Sequence, residues 1–287
     1  MTRRHLLLIL FIDLIWAVNT IAIKEAVTAV PPLLAVAMRY VVLLVACSPW
    51  MRWRPGKMRL ILATGVITGA LSFGLGGISF AVADNVSALA IAGQLGVPFS
   101  LLLAVWFYGE RIRWKRIGAI ALAFAGVALL AFDPAIVHER IGLLLAVTAA
   151  LAWAFGNIMF RELKGEHVLN IFGWQAVVSI PLLLVANAVF EPGSLAAMRT
   201  VPLHALGWIV YSALAASMIG HAGMAWLLQR YPVSTMTPLT LPTPLLSVVL
   251  ATLVYDLPVT LPMVVGGLLT LAGVSIIALR TPTLEPQ

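Results

Sequence analysis

Of the 287 residues, 62% are apolar and 10% charged, against roughly half apolar and about a quarter charged in a soluble domain; an ordinary soluble globule is excluded. The formal net charge of +7 would suit nucleic acid only as a basic patch on a soluble face, and here the bases stand at the ends of apolar runs. The single cysteine, Cys47, excludes an intrachain disulfide and a cysteine-cluster metal site.

Apolar runs between charge, proline and glycine predict ten membrane-spanning helices. They cover residues 5–24, 33–51, 59–82, 86–107, 116–132, 141–160, 168–190, 203–228, 233–255 and 260–279. Ten spans of about 20 residues use roughly 200 residues, so the loops are short and no separate soluble domain fits. The opening Met1-Thr2-Arg3-Arg4 resembles a secretory signal. No small-x-small cleavage pattern follows directly, Ala35-Val36-Ala37 lying inside the second run, so the first run reads as a retained span.

With the N-terminus in the cytoplasm, the inner loops and tails hold 14 of the 18 Lys and Arg residues. These are Arg3, Arg4, Arg52, Arg54, Lys57, Arg59, Arg111, Arg113, Lys115, Arg116, Arg161, Lys164, Arg230 and Arg280. Lys24, Arg140 and Arg199 fall outside, and Arg39 lies within a span. Such a bias is the positive-inside signal, and it predicts cytoplasmic termini with residues 280–287 as a cytoplasmic tail.

Residues 86–131 align with 233–278 without a gap, at an offset of 147 and with 11 of 46 positions identical. The identities include Val86/Val233, Ser100/Ser247, Tyr108/Tyr255 and Gly126/Gly273. A second match at offset 137 pairs Trp16-Ala17 with Trp153-Ala154 and Lys24-Glu25 with Arg161-Glu162. The chain therefore divides into five-helix repeats, 5–132 and 141–279. Five is odd, so the second repeat must enter the membrane upside down. The charges agree: Arg111, Arg113, Lys115 and Arg116 align with Pro258, Thr260, Pro262 and Met263. The predicted fold class is an all-α membrane protein of ten transmembrane helices in two inverted five-helix repeats, an arrangement that transporters use to expose one midplane site to each side in turn.

At this point the chain resembles the EamA-type ten-helix exporters of the drug/metabolite transporter superfamily. The likeness rests on the Trp-Ala pairs of each half and on Pro32 followed by Arg39-Tyr40. It continues through Tyr108-Gly109-Glu110-Arg111 into Gly118 and Ala125-Gly126-Val127, and covers residues 5–280. Within that superfamily the chain looks most like the YddG-type exporters of aromatic amino acids. The second half departs from the signature with Tyr255-Asp256-Leu257-Pro258. The resemblance implies export of small metabolites, amino acids including aromatic ones, across a bacterial inner membrane. The expectation is a protein that works as a monomer, with a small-molecule substrate and the lipid bilayer as its partners and with no cofactor, metal or nucleic acid.

Residues inside the spans supply the candidate site. Arg39 is a charge within the membrane, tolerated where it meets a partner or a polar cavity. One reading gives it a substrate carboxylate; the other has it snorkelling to the headgroups or pairing with Glu25. Asn19 falls at a similar depth, and Trp16 shares its helix face; Trp153 and Asn157 form the matching stripe of span six. These residues either bind a planar substrate or pack helix against helix. Asp13 is the candidate for carrying a coupling proton, or else a polar residue at the inner mouth. Span four has Gln94 between Gly93 and Gly96, followed by Pro98, and its mate, span nine, has Pro238, Pro242 and Pro244 among Thr237, Thr240 and Thr243. Interrupted spans in matching positions point to a binding site, so Gln94, Thr237 and Thr240 are candidates. In glycine-rich span three, Gly65 and Gly69 permit close helix approach, Gly76-Gly77 offers a hinge, and Ser79 and Phe80 face either the pathway or their neighbours. His221 is the histidine set well inside a span, with Ser217 and Met224 on its face, either helix glue or a substrate donor.

Other functions fit less well. Ser79 with Gly220-His221-Ala222-Gly223 distantly suggests an intramembrane serine hydrolase, but Phe80 replaces the expected glycine, and the repeat goes unexplained. No phosphate loop or His-Glu-x-x-His is present, which argues against ATP-driven pumping and zinc hydrolysis. The expectation is a transporter and not an enzyme, with a nucleoside or other metabolite or drug permease of the same fold as the alternative.

Overall fold

The computed structural model describes residues 2–109, 114–133, 139–228, 231, 239–240, 242–256 and 259–279. The candidate Thr237, the tail 280–287, the bases Arg111, Arg113 and Arg230, and most of the predicted start of span nine lie outside the described residues.

Among the described residues, ten helices follow the predicted runs. The first half holds α1 (Arg3–Ala29), α2 (Pro32–Cys47), α3 (Met58–Val82), α4 (Val86–Tyr108) and α5 (Trp114–Ala131). The second holds α6 (Arg140–Glu162), α7 (Val168–Phe190), α8 (Leu203–Tyr211 continuing through Ser212–His221 and Ala222–Leu228), α9 (Pro242–Tyr255) and α10 (Leu261–Leu279). Seven are long and apolar enough to cross a bilayer on length and composition alone. Apolar side chains such as Leu7, Val45, Trp106 and Leu253 stay exposed, as they do when the surroundings are lipid.

Local chemistry fixes the ends. Thr2 caps α1 by accepting from the His5 N–H, Asn85 caps α4 by accepting from Ala88 N–H at 2.9 Å, and Pro32 opens α2 where no donor is needed. Gly109 closes α4 in the left-handed region at φ 64°, which glycine adopts without steric cost. Helix α1 runs five residues past the predicted end at residue 24. Its charges are accommodated within the helix because Lys24 reaches the carbonyls of Phe80 and Ala83 at the end of α3, and Glu25 accepts from Tyr255.

Inversion is visible in the packing of matched helices. A side chain at Gly126 of α5 would collide with Gly266 and Thr270 of α10, and one at Gly273 of α10 would collide with Ala119 and Ala123 of α5. Adding 147 to 119, 123 and 126 gives 266, 270 and 273, so the two contacts are copies of each other. They run in opposite chain directions, which makes the helices antiparallel. Helices α2 and α7 repeat the arrangement: Leu33 N–H donates to Glu191 Oε1 at one end and Arg52 N–H to Asn170 Oδ1 at the other. Antiparallel mates require a two-fold axis across the helix direction, which is the inverted architecture.

Two irregularities were absent from the sequence reading. Helices α3 and α8 each contain a π-helical stretch, Gly65–Ser72 and Ser212–His221, and their first residues are again 147 apart. Gly76-Gly77, the expected hinge, lies within the regular α-helix Phe73–Val82; the π distortion lies one to two turns earlier, where Gly65 and Gly69 press on Gln175 and Ser179 of α7. Helix α4 is interrupted where predicted, between Gly93 and Gly96. The mate of that break falls at residue 241, outside the described residues.

Candidate functional site

Between the halves lies a cavity of about 1200 Å³, large enough for an amino acid or a nucleoside with room to reorient. Its wall runs from Ala26, Val27 and Ile209 near one end of the bundle to Arg161, Lys164 and Glu166 at the other. The latter is the basic end, carrying Arg52, Arg54 and Lys57 as well; Arg54 and Lys57 pair with Glu166 at 2.9 and 3.1 Å. No described residue of α5, α9 or α10 reaches the cavity wall.

Arg39 is a buried charged side chain of its wall. It is 5% exposed, and its Nη2 donates to Ser217 Oγ at 2.6 Å. The guanidinium carbon sits 4.3 Å from the centroid of Phe73, a cation–π distance. None of the ion pairs among the described residues includes Arg39, and Glu25, its alternative partner, is bonded to Tyr255. A buried guanidinium without a counter-ion is costly, and a cavity that admits an anion relieves that cost.

From Arg39 a polar chain leads across α8 to α1. Ser217 donates to Ser212 O at 3.1 Å, and Ser212 Oγ donates to Asn19 Oδ1 at 2.6 Å. Five residues on a regular α-helix sit about 140° apart, which would turn Ser212 and Ser217 to different faces. The wider π turn brings them together, an example of a π stretch shaping a functional surface.

An aromatic wall completes the site. The His221 ring lies 5.3 Å from Trp16, 5.5 Å from Trp153 and 6.1 Å from Phe172, centroid to centroid. Trp153 also meets Phe73 edge-on at 5.8 Å, which connects the wall to Arg39. Trp16 Nε1 donates to Ala216 O at 3.3 Å, and Gly220 leaves the space that its indole fills. Trp16 and Trp153, matched by the repeat, thus flank one histidine from opposite halves.

The structure brings Trp16, Asn19, Arg39, Phe80, Trp153, Asn157 and His221 to the cavity wall. Ser79 borders the cavity too, but its hydroxyl is buried and donates to Gly142 O at 2.8 Å, tying α3 to α6. Asn157 Nδ2 donates to Ser100 Oγ at 3.1 Å. Gln94 sits half-buried in the α4 break; Gly93, and not Gln94, lines the cavity. Thr240 is described but does not line the cavity. Asp13 also lies off it, buried against α9, with Oδ1 accepting from Thr243 at 2.8 Å and Oδ2 without a partner among the described residues. Phe73, Phe172 and Ser212 escaped the sequence reading. Phe73 and Phe172 are two of many apolar residues in their runs, and Ser212 reaches the site only through the π register.

With this geometry in hand, comparison with known proteins is decisive for the family. The EamA-like transporter family matches residues 3–132 and again 140–279. The chain belongs to the EamA-like transporter family. As an EamA protein it is a multi-pass membrane transporter. It is 24% identical to a protein of Escherichia coli named "probable amino-acid metabolite efflux pump", over 96% of this chain and 95% of that one. A Salmonella typhimurium protein of the same name matches at the same identity and coverage. A "probable terminal-alkyne amino-acid exporter" of Streptantibioticus cattleyicolor is 29% identical over 64% of this chain and 61% of that one. A solved crystal structure has the same fold, with a TM-score of 0.64 over 96% of both chains at 16% identity. These relatives support a membrane exporter of the EamA type.

Proposed function

We propose that this EamA transporter exports amino acids, aromatic ones included, from the cytoplasm of a bacterium by alternating access around the central cavity. The observation that carries the reading is Arg39, buried at the cavity wall with no carboxylate partner among the described residues and an aromatic ring beneath it. A substrate carboxylate supplies the missing anion through the planar guanidinium fork. The Trp16, His221 and Trp153 rings offer apolar faces and edges to a side chain, and Asn19 and Ser212 lie within the same polar chain for an amino group. The relatives named for amino-acid efflux support the same substrate class. In this reading the basic end faces the cytoplasm and the chain acts as a monomer.

Counterflow in proteoliposomes tests the substrate class. Vesicles loaded with one unlabelled compound are offered the labelled compound outside, across a panel of amino acids and nucleosides. Accumulation of aromatic amino acids above the nucleosides is expected. Counterflow of nucleosides with none of the amino acids overturns the proposal in favour of a nucleoside permease.

A further inference from the structure

Tyr108 donates to Glu162 Oε1 at 2.6 Å, and Tyr255 donates to Glu25 Oε1 at 3.0 Å. The two bonds are copies of one contact. Tyr108 and Tyr255 are 147 apart, the offset of the repeat that contains them, and Glu25 and Glu162 are 137 apart, the offset that matches α1 with α6. Each bond joins one half to the other: Tyr108 on α4 reaches Glu162 on α6, and Tyr255 on α9 reaches Glu25 on α1. They lie at opposite ends of the bundle. Tyr108 and Glu162 stand at the basic end, where α4 and α6 finish; Glu25 and Tyr255 stand at the other end, where α1 and α9 finish. Each is also adjacent to a cavity residue, since Arg161 and Ala26 both line the wall.

The base before each glutamate reinforces its own end. Arg161 lies over the Tyr108 ring at 4.1 Å, and Lys24 donates to Phe80 O and Ala83 O at 3.1 and 2.7 Å. At both ends the same Lys/Arg-Glu pair therefore fastens its helix to the opposite half or to the neighbouring helix.

We infer that Tyr108–Glu162 and Tyr255–Glu25 are the two latches of the transport cycle, one at each mouth of the cavity, released in turn as one half rocks against the other. Both are engaged here, so either mouth opens only by breaking its own bond. Removing one latch favours the state open at that end, since a bond present in one state and absent in the other sets their ratio. The inference rests on the alternating-access reading, but its test uses no substrate, so failure to find a transported amino acid and failure of the latches are separate results.

The test needs one reporter cysteine. In a Cys47→Ala background, Gly76→Cys places a thiol on the cavity wall where an added Cβ meets nothing within 4 Å. A membrane-impermeant maleimide is applied to intact cells and to inverted vesicles, and the two labelling rates are compared. Tyr108→Phe is expected to shift the ratio toward the basic end by about fivefold, the population change for losing about one net hydrogen bond. Tyr255→Phe is expected to shift it equally in the opposite direction, and the double variant to return it near its starting value. Glu162→Gln and Glu25→Gln must each move the ratio in the same sense as the tyrosine variant of their own end, which covers the case of a tyrosine variant that fails to fold. Shifts in one common direction, or an unchanged ratio in folded protein, overturn the inference.

Discussion

Replacing Arg39 with methionine separates a binding arginine from a structural one. The substitution removes the hydrogen bond to Ser217, worth about 1.5–3 kcal/mol for a charged donor. It also removes the cation–π contact with Phe73, worth about 0.5–2 kcal/mol. Against these losses stands the desolvation of an unpaired guanidinium, several kcal/mol for a buried ion after relaxation, which the variant no longer bears. The two sides nearly cancel, so Arg39→Met is expected to melt within a few degrees of the wild type in the absence of substrate. Ligand at a hundred times its Kd should stabilise the wild type by about 2.7 kcal/mol, a rise of roughly 4–5 °C for a chain of this size. The variant should show almost none of that rise. Thermal unfolding in detergent with and without the transported amino acid makes the measurement. A variant that melts far below the wild type yet keeps its ligand-induced rise would refute the reasoning and make Arg39 a tether.

Further predictions concern the packing and the aromatic wall. Gly126→Leu and Gly273→Leu should each destabilise the protein by about 1–3 kcal/mol or more through overpacking of the α5–α10 contact. Gly118→Leu on the same helix, where an added Cβ meets nothing within 4 Å, should not; thermal melts of the three variants compare them. Ser79→Ala should cost about 1 kcal/mol by breaking the α3–α6 tie to Gly142 while leaving the counterflow rate of the folded protein near wild type. Trp153→Ala should weaken counterflow of phenylalanine more than that of alanine, by roughly fivefold in relative KM, for an aromatic contact with the indole worth about 1 kcal/mol.

Much of the architecture was legible because the bilayer imposes length and apolarity on every span. Helix α7 ends where its apolar run ends, and the Tyr108/Tyr255 and Lys24-Glu25/Arg161-Glu162 matches already held the two proposed latches without showing that they touch. The break at Gln94 was legible from its glycines, but the direction of the Gln94 side chain was not, since a turn can place either neighbour on the cavity. The π stretches left no mark in the apolar pattern: Gly65–Ser72 and Ser212–His221 read as ordinary helix, and the wider turn shows only in the folded backbone. Lys24 and Glu25 looked like a helix end because their charges suggest water. Their partners sit on α3 and α9, more than 50 residues away in sequence.

The central claim is that Arg39 recognises a substrate carboxylate within the cavity. Exchange in proteoliposomes, comparing phenylalanine with phenethylamine, which keeps the ring and the amine but lacks the carboxylate, tests it most directly. The account predicts that phenylalanine drives exchange while phenethylamine does not, and that Arg39→Lys lowers phenylalanine exchange by loss of the planar fork. Equal exchange of both compounds, unchanged in Arg39→Lys, would contradict it.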